Sequence, residues 1–160
     1  MAVDMFIKIK GIDGESKDDT HKDWIDVLSW GWGATQQGSA GMMGGAGAGK
    51  VNVQDLHVTK PVDKASPDLF LKCATGEHYD DAVLTCRKAG GSPLEYLKIT
   101  MTEVYITSVQ HGGSQGGDAL VENVTLNFAK VKLEYTEQTD KGAAGAQPKA
   151  NFDIKANKKL

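Results

Sequence analysis

A glycine-rich segment that ends in a lysine is the most suggestive chemical motif in the sequence. Residues 44–50, Gly-Gly-Ala-Gly-Ala-Gly-Lys, have the spacing of a phosphate-binding loop, in which backbone N–H groups and the lysine hold a nucleotide. Such a loop also needs a preceding strand, a Ser or Thr after the lysine and a following helix whose N-terminus binds the phosphate. Here Val51 follows Lys50 and begins the alternating pattern of a strand. The sequence therefore argues against nucleotide binding.

Cysteine and histidine side chains could bind a metal or activate a nucleophile, but their spacing favours neither. The set Cys73, His78, Cys86 and His111 lacks the closely spaced pairs of a structural zinc site. None of the four histidines lies in a recognisable nucleophile motif, and no carboxylates have a spacing that indicates glycoside hydrolysis. We therefore expect no catalytic residue, no metal and no cofactor, and we interpret both cysteines as small buried hydrophobic residues.

Three tryptophans, Trp24, Trp30 and Trp32, could stack on sugar rings. Trp30 and Trp32 share the strand phase of Leu28, which predicts that these three side chains lie on one face of the strand. Aromatic side chains bury large areas in cores and interfaces, so we favour a core or subunit-interface position over a sugar-binding platform. A small ligand- or carbohydrate-binding β-domain is the alternative interpretation of the chain.

The composition is typical of one soluble domain. The 160 residues are 40% hydrophobic and 24% charged, and 18 basic against 21 acidic residues give a net charge of −3. This mixed charge offers no basic surface to nucleic acid, and no stretch approaches the roughly 18 apolar residues of a membrane-spanning helix. Residues 1–10 carry charges within their only apolar run and lack a signal-peptide pattern. We expect a single domain over residues 1–160 that is made in the cytoplasm and exported, if at all, by a Sec-independent route.

Long alternating runs predict strands, and several of these runs change phase in the middle. The changes fall between the following pairs: Val27 and Leu28, Val53 and Leu56, Met101 and Val104, and Phe128 and Val131. Because the sides of a strand alternate strictly, each change predicts a bulge or a point where the buried face switches. Strands of about 12 to 15 residues that bend in this way curl into barrels or pass between packed sheets. The prediction is a mainly β fold, a two-sheet β-barrel of long bent antiparallel strands.

One short helix is predicted over about residues 66–76. Ser66 is the predicted N-cap and Gly76 the predicted stop. Helical spacing predicts an apolar stripe that packs on the sheet, made of Leu69, Phe70 and Cys73. Residues 137–160 are predicted to be loosely ordered apart from a short edge strand that contains Phe152 and Ile154.

The extended glycine-rich loop over about residues 34–50 exceeds the roughly 12 to 15 residues usual for a structureless connection in a compact domain. Met42 and Met43 lie between small residues that let another backbone come close. We predict that this flexible loop orders against a partner surface. The candidate interface residues are Gly38, Ser39, Gly41, Met42, Met43, Gly44, Gly45, Gly47, Gly49 and Lys50.

Seven segments together resemble the Hcp family, the haemolysin-coregulated proteins. They include Ile25-Asp-Val-Leu-Ser-Trp-Gly-Trp-Gly33, the glycine-rich loop and Glu122-Asn-Val-Thr-Leu-Asn-Phe128, besides residues 1–9, 14–18, 49–55 and 87–91. The resemblance implies a tube subunit of the bacterial type VI secretion system. Six copies would form a ring, and rings would stack inside a contractile sheath behind a spike protein. It also implies that the long loop reaches an adjacent copy, that small effector proteins travel in the lumen, and that the subunit does no chemistry.

Overall fold

The computed structural model describes residues 3–38, 49–88, 93–117 and 119–160. Within these ranges the chain forms eleven strands and one helix. In chain order they are β1 (Val3–Ile9), β2 (Ile25–Asp26), β3 (Ser29–Gly31), β4 (Ala34–Thr35), β5 (Asn52–Val53), β6 (Leu56–Pro61), α1 (Ser66–Thr75), β7 (His78–Lys88), β8 (Glu95–Gly112), β9 (Val121–Tyr135), β10 (Lys149–Asp153) and β11 (Lys158–Lys159). The predicted mainly β fold with one short helix is confirmed. No helix in the described ranges has the length and apolar character needed to cross a membrane.

Three long antiparallel strands, β7, β8 and β9, change their buried face along one line. Val104 of β8 pairs with Tyr79 and Phe128 on one side of this line, and Met101 pairs with Ala82 and Val131 on the other. These six side chains are all buried, and the step of three residues within each strand moves the buried side chains to the opposite face. The phase changes predicted in β8 and β9 are therefore confirmed as a single transverse bend.

The bend divides the structure into two sheets that share their long strands. β9 pairs with β6 along its first half and with β10 along its second half. β6 in turn pairs with β3, and β2 pairs with β1. Between β2 and β3, the Val27 N–H donates to Met5 O at 3.0 Å and the Leu28 N–H donates to Thr59 O at 2.8 Å. Residues 25–31 therefore link β1 to β6, so that backbone hydrogen bonds run continuously around the predicted two-sheet barrel.

The link between β1 and β6 explains one error in the sequence prediction. Trp30 and Trp32 lie partly buried against the core, as predicted, but Leu28 is 53% exposed. The chain bends at Leu28, where its pairing passes from β1 on one side to β6 on the other. Leu28 therefore does not continue the buried face of the two tryptophans.

The end of α1 follows the prediction, whereas its start does not. Gly76 ends the helix with a φ of 74°, and its N–H donates to Lys72 O at 2.9 Å. Ala65, not Ser66, occupies the N-cap position. Ser66 is the first helical residue, and its hydroxyl donates to Glu122 Oε1 at 2.5 Å instead of capping the helix.

The predicted apolar stripe of α1 is only partly correct. Leu69 is fully buried and Cys73 is half-buried against the core, whereas Phe70 is 59% exposed. Phe70 and its neighbour Leu71, which is 54% exposed, lie on the side of the short helix that faces away from the sheet. The ten-residue helix presents only a narrow face to the barrel, and Leu69 occupies that face.

The C-terminal segment adds a hairpin to the second half of β9. Phe152 pairs with Val131, which confirms the predicted short strand, but β11 lies at the sheet edge and β10 does not. Ile154 follows the strand, and its N–H donates to Ala129 O at 2.8 Å. β11 pairs with β10 to complete the hairpin. The loose order of residues 137–160 concerns their motion in solution and stays a prediction.

Candidate assembly surface

The glycine-rich loop leaves the barrel on a two-stranded arm, residues 34–53. At its base Ala34 pairs with Val53, and Thr35 pairs with Asn52. Trp32 anchors this base, since its Nε1 donates to Gln54 O at 3.0 Å. The phase change predicted after Val53 is confirmed as the break between β5 of the arm and β6 of the barrel.

Three of the ten candidate interface residues lie in the described part of the arm. A Cβ at Gly49 would lie 2.9 Å from Gln36 Oε1 and 3.5 Å from Gln37 O, so the two sides of the arm are adjacent there and a larger residue would have to displace the Gln36 side chain. Gly38 and Lys50 are exposed. The other candidates lie outside the described residues: Ser39, Gly41, Met42, Met43, Gly44, Gly45 and Gly47.

The arm also decides the interpretation of the phosphate-loop spacing. A phosphate-binding loop delivers its lysine at the start of a helix, where free N–H groups meet the anion. Lys50 is instead followed by β5, and the next helix along the chain is α1. The exposed Lys50 therefore belongs to a β-arm and not to a nucleotide site.

A cavity of about 440 Å³ opens beside the arm, and we call it the socket. Its walls combine Trp32 and Val53 with Val131 and Leu133 of β9 and Phe152 of β10. The amides of Gln36 and Asn157 contribute polar groups to the lining. Trp32, predicted for a core or an interface, is thus placed between the core and a surface opening.

A buried ion cluster joins the barrel to α1. Lys60 and Glu122 are 1% and 0% exposed, and their side chains are paired. Lys60 also donates to Asp63 Oδ1 at 3.0 Å, while Ser66 donates to Glu122. His111 Nε2 lies 2.8 Å from Glu122 Oε2 at the solvent side of the cluster.

This ion cluster was not predicted from the sequence, although the strand phase of its two charged residues carries a signal for it. Lys60 has the strand phase of the buried Leu56 and Val58, and Glu122 has the phase of the buried Val124 and Leu126. A charged residue in the phase of a buried face indicates an internal partner, because an unpaired charge in the core is very costly. The cluster positions α1 on the end of the barrel.

A second polar cluster fixes the connection between β1 and β2 to the β7–β8 hairpin. His21 is 3% exposed, with Nδ1 2.9 Å from Asp18 Oδ2 and Nε2 2.5 Å from Glu95 Oε1. Its ring stacks on Phe6 with the ring centroids 4.5 Å apart. Arg87 donates to Asp18, and this contact holds the pKa of Asp18 well below its ordinary value. In both polar clusters the charged groups hold elements of the barrel together.

Comparison with known proteins agrees with this architecture. Residues 6–135 match the family described as type VI secretion system effector, Hcp. The chain is 56% identical over 159 residues to protein hcp1 of Pseudomonas aeruginosa, with 98% of each chain covered. It is similar to the crystal structure of Hcp1 from Salmonella typhimurium, with 43% identity, full coverage of both chains and a TM-score of 0.82. A solved structure of a type six secretion system protein is 32% identical with a TM-score of 0.93, covering 99% of this chain and all of the other.

Proposed function

Since this chain belongs to the Hcp family and is a tube subunit of a type VI secretion system, we propose that six copies close into a ring and that rings stack into the tube. The observation that carries the proposal is the family match over residues 6–135 together with the near-complete overlap with hcp1. A closed ring needs head-to-tail contacts, in which one surface of a copy meets a different surface of the next. Rings of this kind leave two open faces on which further rings can stack.

The arm is the surface that we assign to contact between copies. The β4–β5 pairing and the Trp32–Gln54 hydrogen bond join the two sides of the arm, and the Trp32 ring packs against Phe128 of the barrel with the ring centroids 6.3 Å apart. The glycines and methionines between Gly38 and Lys50 provide a backbone and side chains that adapt to an approaching surface. Ordering the loop against a neighbour costs conformational entropy, which the contact itself must offset.

The proposed partners follow from the role of a tube. A contractile sheath surrounds the stacked rings, a spike protein tips them, and small effector proteins occupy the lumen. The subunit itself acts mechanically and without catalysis, cofactor or nucleic acid. It leaves the cell through the type VI apparatus after synthesis in the cytoplasm, and residues 1–160 act as one tube domain.

The size of the particle in solution tests this proposal. Sedimentation velocity of the full chain should give the mass of six copies, and negative-stain images should show rings with six-fold symmetry. A monomer that persists at high protein concentration, with no rings in the images, would falsify the proposed assembly. Tryptophan fluorescence that responds to added sugars while the protein stays monomeric would favour the alternative of a carbohydrate-binding domain.

A further inference from the structure

We propose that the socket receives Phe70 of a second copy of this chain. The socket and Phe70 then form the two halves of one head-to-tail contact between copies. This inference rests on the proposed function, because it requires that copies of the chain assemble. It goes further by naming the side chain and the cavity that meet.

The socket has the properties of a protein-binding cavity. Trp32, Val131, Leu133 and Phe152 give it an apolar wall, and a cavity of about 440 Å³ has room for one large side chain with its neighbour. Apolar surface exposed in this concave form is costly in water, and filling it with an apolar group is favourable. Apolar anchors set in such cavities contribute most of the binding energy in many protein interfaces.

The choice of Phe70 follows from the exposed apolar residues in the described ranges. About half or more of the side chain is exposed at Leu28, Phe70, Leu71, Leu120, Tyr135 and Leu160. Tyr135 and Leu160 lie close to the socket itself, at the end of β9 and beside β10, so they cannot supply the opposite surface. Phe70 is the most exposed of the group, at 59% against 58% for Leu120, and an aromatic ring buries more apolar area in a cavity than a leucine side chain does.

The positions of the two surfaces fit a head-to-tail contact. α1 is held at the start of β9 through the Ser66–Glu122 hydrogen bond, whereas the socket lies at Val131 and Leu133 near the end of β9. At about 3.3 Å per residue these points are up to roughly 36 Å apart along the strand. Phe70 follows Ser66 by about one helical turn and is not among the residues that line the socket, so a copy carries the two on separate surfaces, as repeated assembly requires.

The socket is also continuous with the surface that the proposed function assigns to assembly. Gln36 and Gly49 both line the socket. Gln36 lies two residues before Gly38, where the described part of the arm ends, and Gly49 is the residue at which it resumes. A neighbour that contacts the arm therefore lies next to the mouth of the socket. The contact of Phe70 with the socket and the contact of the arm with the neighbouring copy would then belong to one interface.

Trp32 provides a built-in probe of this contact. When Phe70 of another copy displaces water from the socket, the emission of Trp32 should move to shorter wavelength as protein concentration rises. Trp32→Phe should remove this change and leave the emission of Trp24 and Trp30. Phe70→Gln should abolish the change and weaken association by about 30-fold, the effect of losing one interface anchor. Leu28→Gln removes another apolar residue that is 53% exposed and serves as the matched control.

Mixing two defective variants gives a second test. Phe70→Gln keeps an intact socket, and Ala150→Phe keeps Phe70 but fills the socket from its wall. Each variant alone lacks one half of the contact, so neither should extend through it. In a mixture, Phe70 of the Ala150→Phe variant should enter the socket of the Phe70→Gln variant. The resulting pair has no free Phe70 and no free socket, so it cannot grow, and its sedimenting mass is twice that of either variant alone, whether each is a monomer or a ring.

The outcomes separate this inference from the proposed function. Doubling in the mixture, together with loss of the Trp32 shift in Phe70→Gln, supports the Phe70–socket contact. Wild-type assembly and an unchanged Trp32 shift in Phe70→Gln overturn it and show that another surface, or residues 39–48, covers the socket. In that case rings of the wild-type chain would still support the tube subunit, whereas a wild-type monomer would contradict both.

Discussion

Lys60 and Glu122 are register partners on neighbouring strands and form an ion pair inside the barrel, where 1% and 0% of their side chains are exposed. Asp63 and Ser66 bond to the same pair, and these contacts connect the end of β6 to the first turn of α1. Two charges removed from water are tolerated only while their partners stay in place. The first turn of α1 is therefore held by this pair, while the buried Leu69 holds the helix further along.

Glu122→Gln should lower the free energy of unfolding by about 3–5 kcal/mol, because it removes the charge that balances a buried ammonium while keeping the side-chain shape. Urea unfolding followed by circular dichroism would measure the loss. Replacing both partners, Lys60→Met with Glu122→Leu, should recover most of it, since no buried charge is then left unpaired. A single variant as stable as wild type would show that water reaches the pair.

The bend of the barrel could be predicted from the sequence, whereas the partners within its polar clusters could not. Alternation placed the bend of β8 and β9 correctly because the side-chain period of a strand is local, and the pattern at Met101–Val104 and Phe128–Val131 records it directly. The partners His21 and Glu95 lie 74 positions apart, so no local pattern joins them. Phe70 was misplaced because helical spacing predicts a face, but cannot predict how wide a face the sheet covers.

The fold predicts a definite pH dependence at Asp18. The Arg87 guanidinium lowers the pKa of Asp18, so the folded state favours the ionised carboxyl more than the unfolded chain does. This stabilisation is complete when the pH is above the pKa of Asp18 in the unfolded chain, and it is lost as the pH falls through the lower pKa of Asp18 in the folded protein. Asp18→Asn should lower the free energy of unfolding by about 1.5–3 kcal/mol at pH 7, the usual range for a hydrogen bond to a charged group.

Urea unfolding of the Asp18→Asn variant and wild type across the acid range would measure this difference. The gap between them should narrow as the pH falls, because wild-type Asp18 then loses its charge too. Asp13→Asn is the matched control: Asp13 pairs with Lys8 at 2.8 Å but is largely exposed, so its loss should matter much less. A gap at Asp18 that stays constant with pH would mean that its ionisation does not contribute to folding.

Gly76→Ala should destabilise the protein by about 1 kcal/mol. Gly76 has a φ of 74°, a left-handed conformation in which a Cβ approaches the backbone too closely. Gly31→Ala is the control, because Gly31 lacks a positive φ and a Cβ there would have no atom within 4 Å. An added Cβ has no atom within 4 Å at either glycine, so the difference in thermal unfolding between the two variants measures backbone strain at Gly76. Equal effects at the two glycines would argue against this strain.

Deletion of residues 38–49 should impair assembly and spare the fold. A Cβ at Gly49 would lie 3.5 Å from Gln37 O, so the two sides of the arm are already adjacent where the deletion joins Gln37 to Lys50. The remaining Gln36, Gln37, Lys50 and Val51 would close β4 and β5 with a four-residue loop, a usual hairpin length. Circular dichroism and urea unfolding should therefore match wild type, while sedimentation velocity shows loss of the ring.

A second variant separates the role of the loop's length from that of its side chains. Met42→Ser with Met43→Ser keeps the length and the glycines but removes the two adaptable apolar groups. If these side chains contact the neighbouring copy, this variant should weaken association with the same unchanged fold, and secretion of the variant subunit should fall. Normal hexamers and normal secretion from the deletion would contradict the loop's role, because a contact that assembly needs cannot be removed without effect.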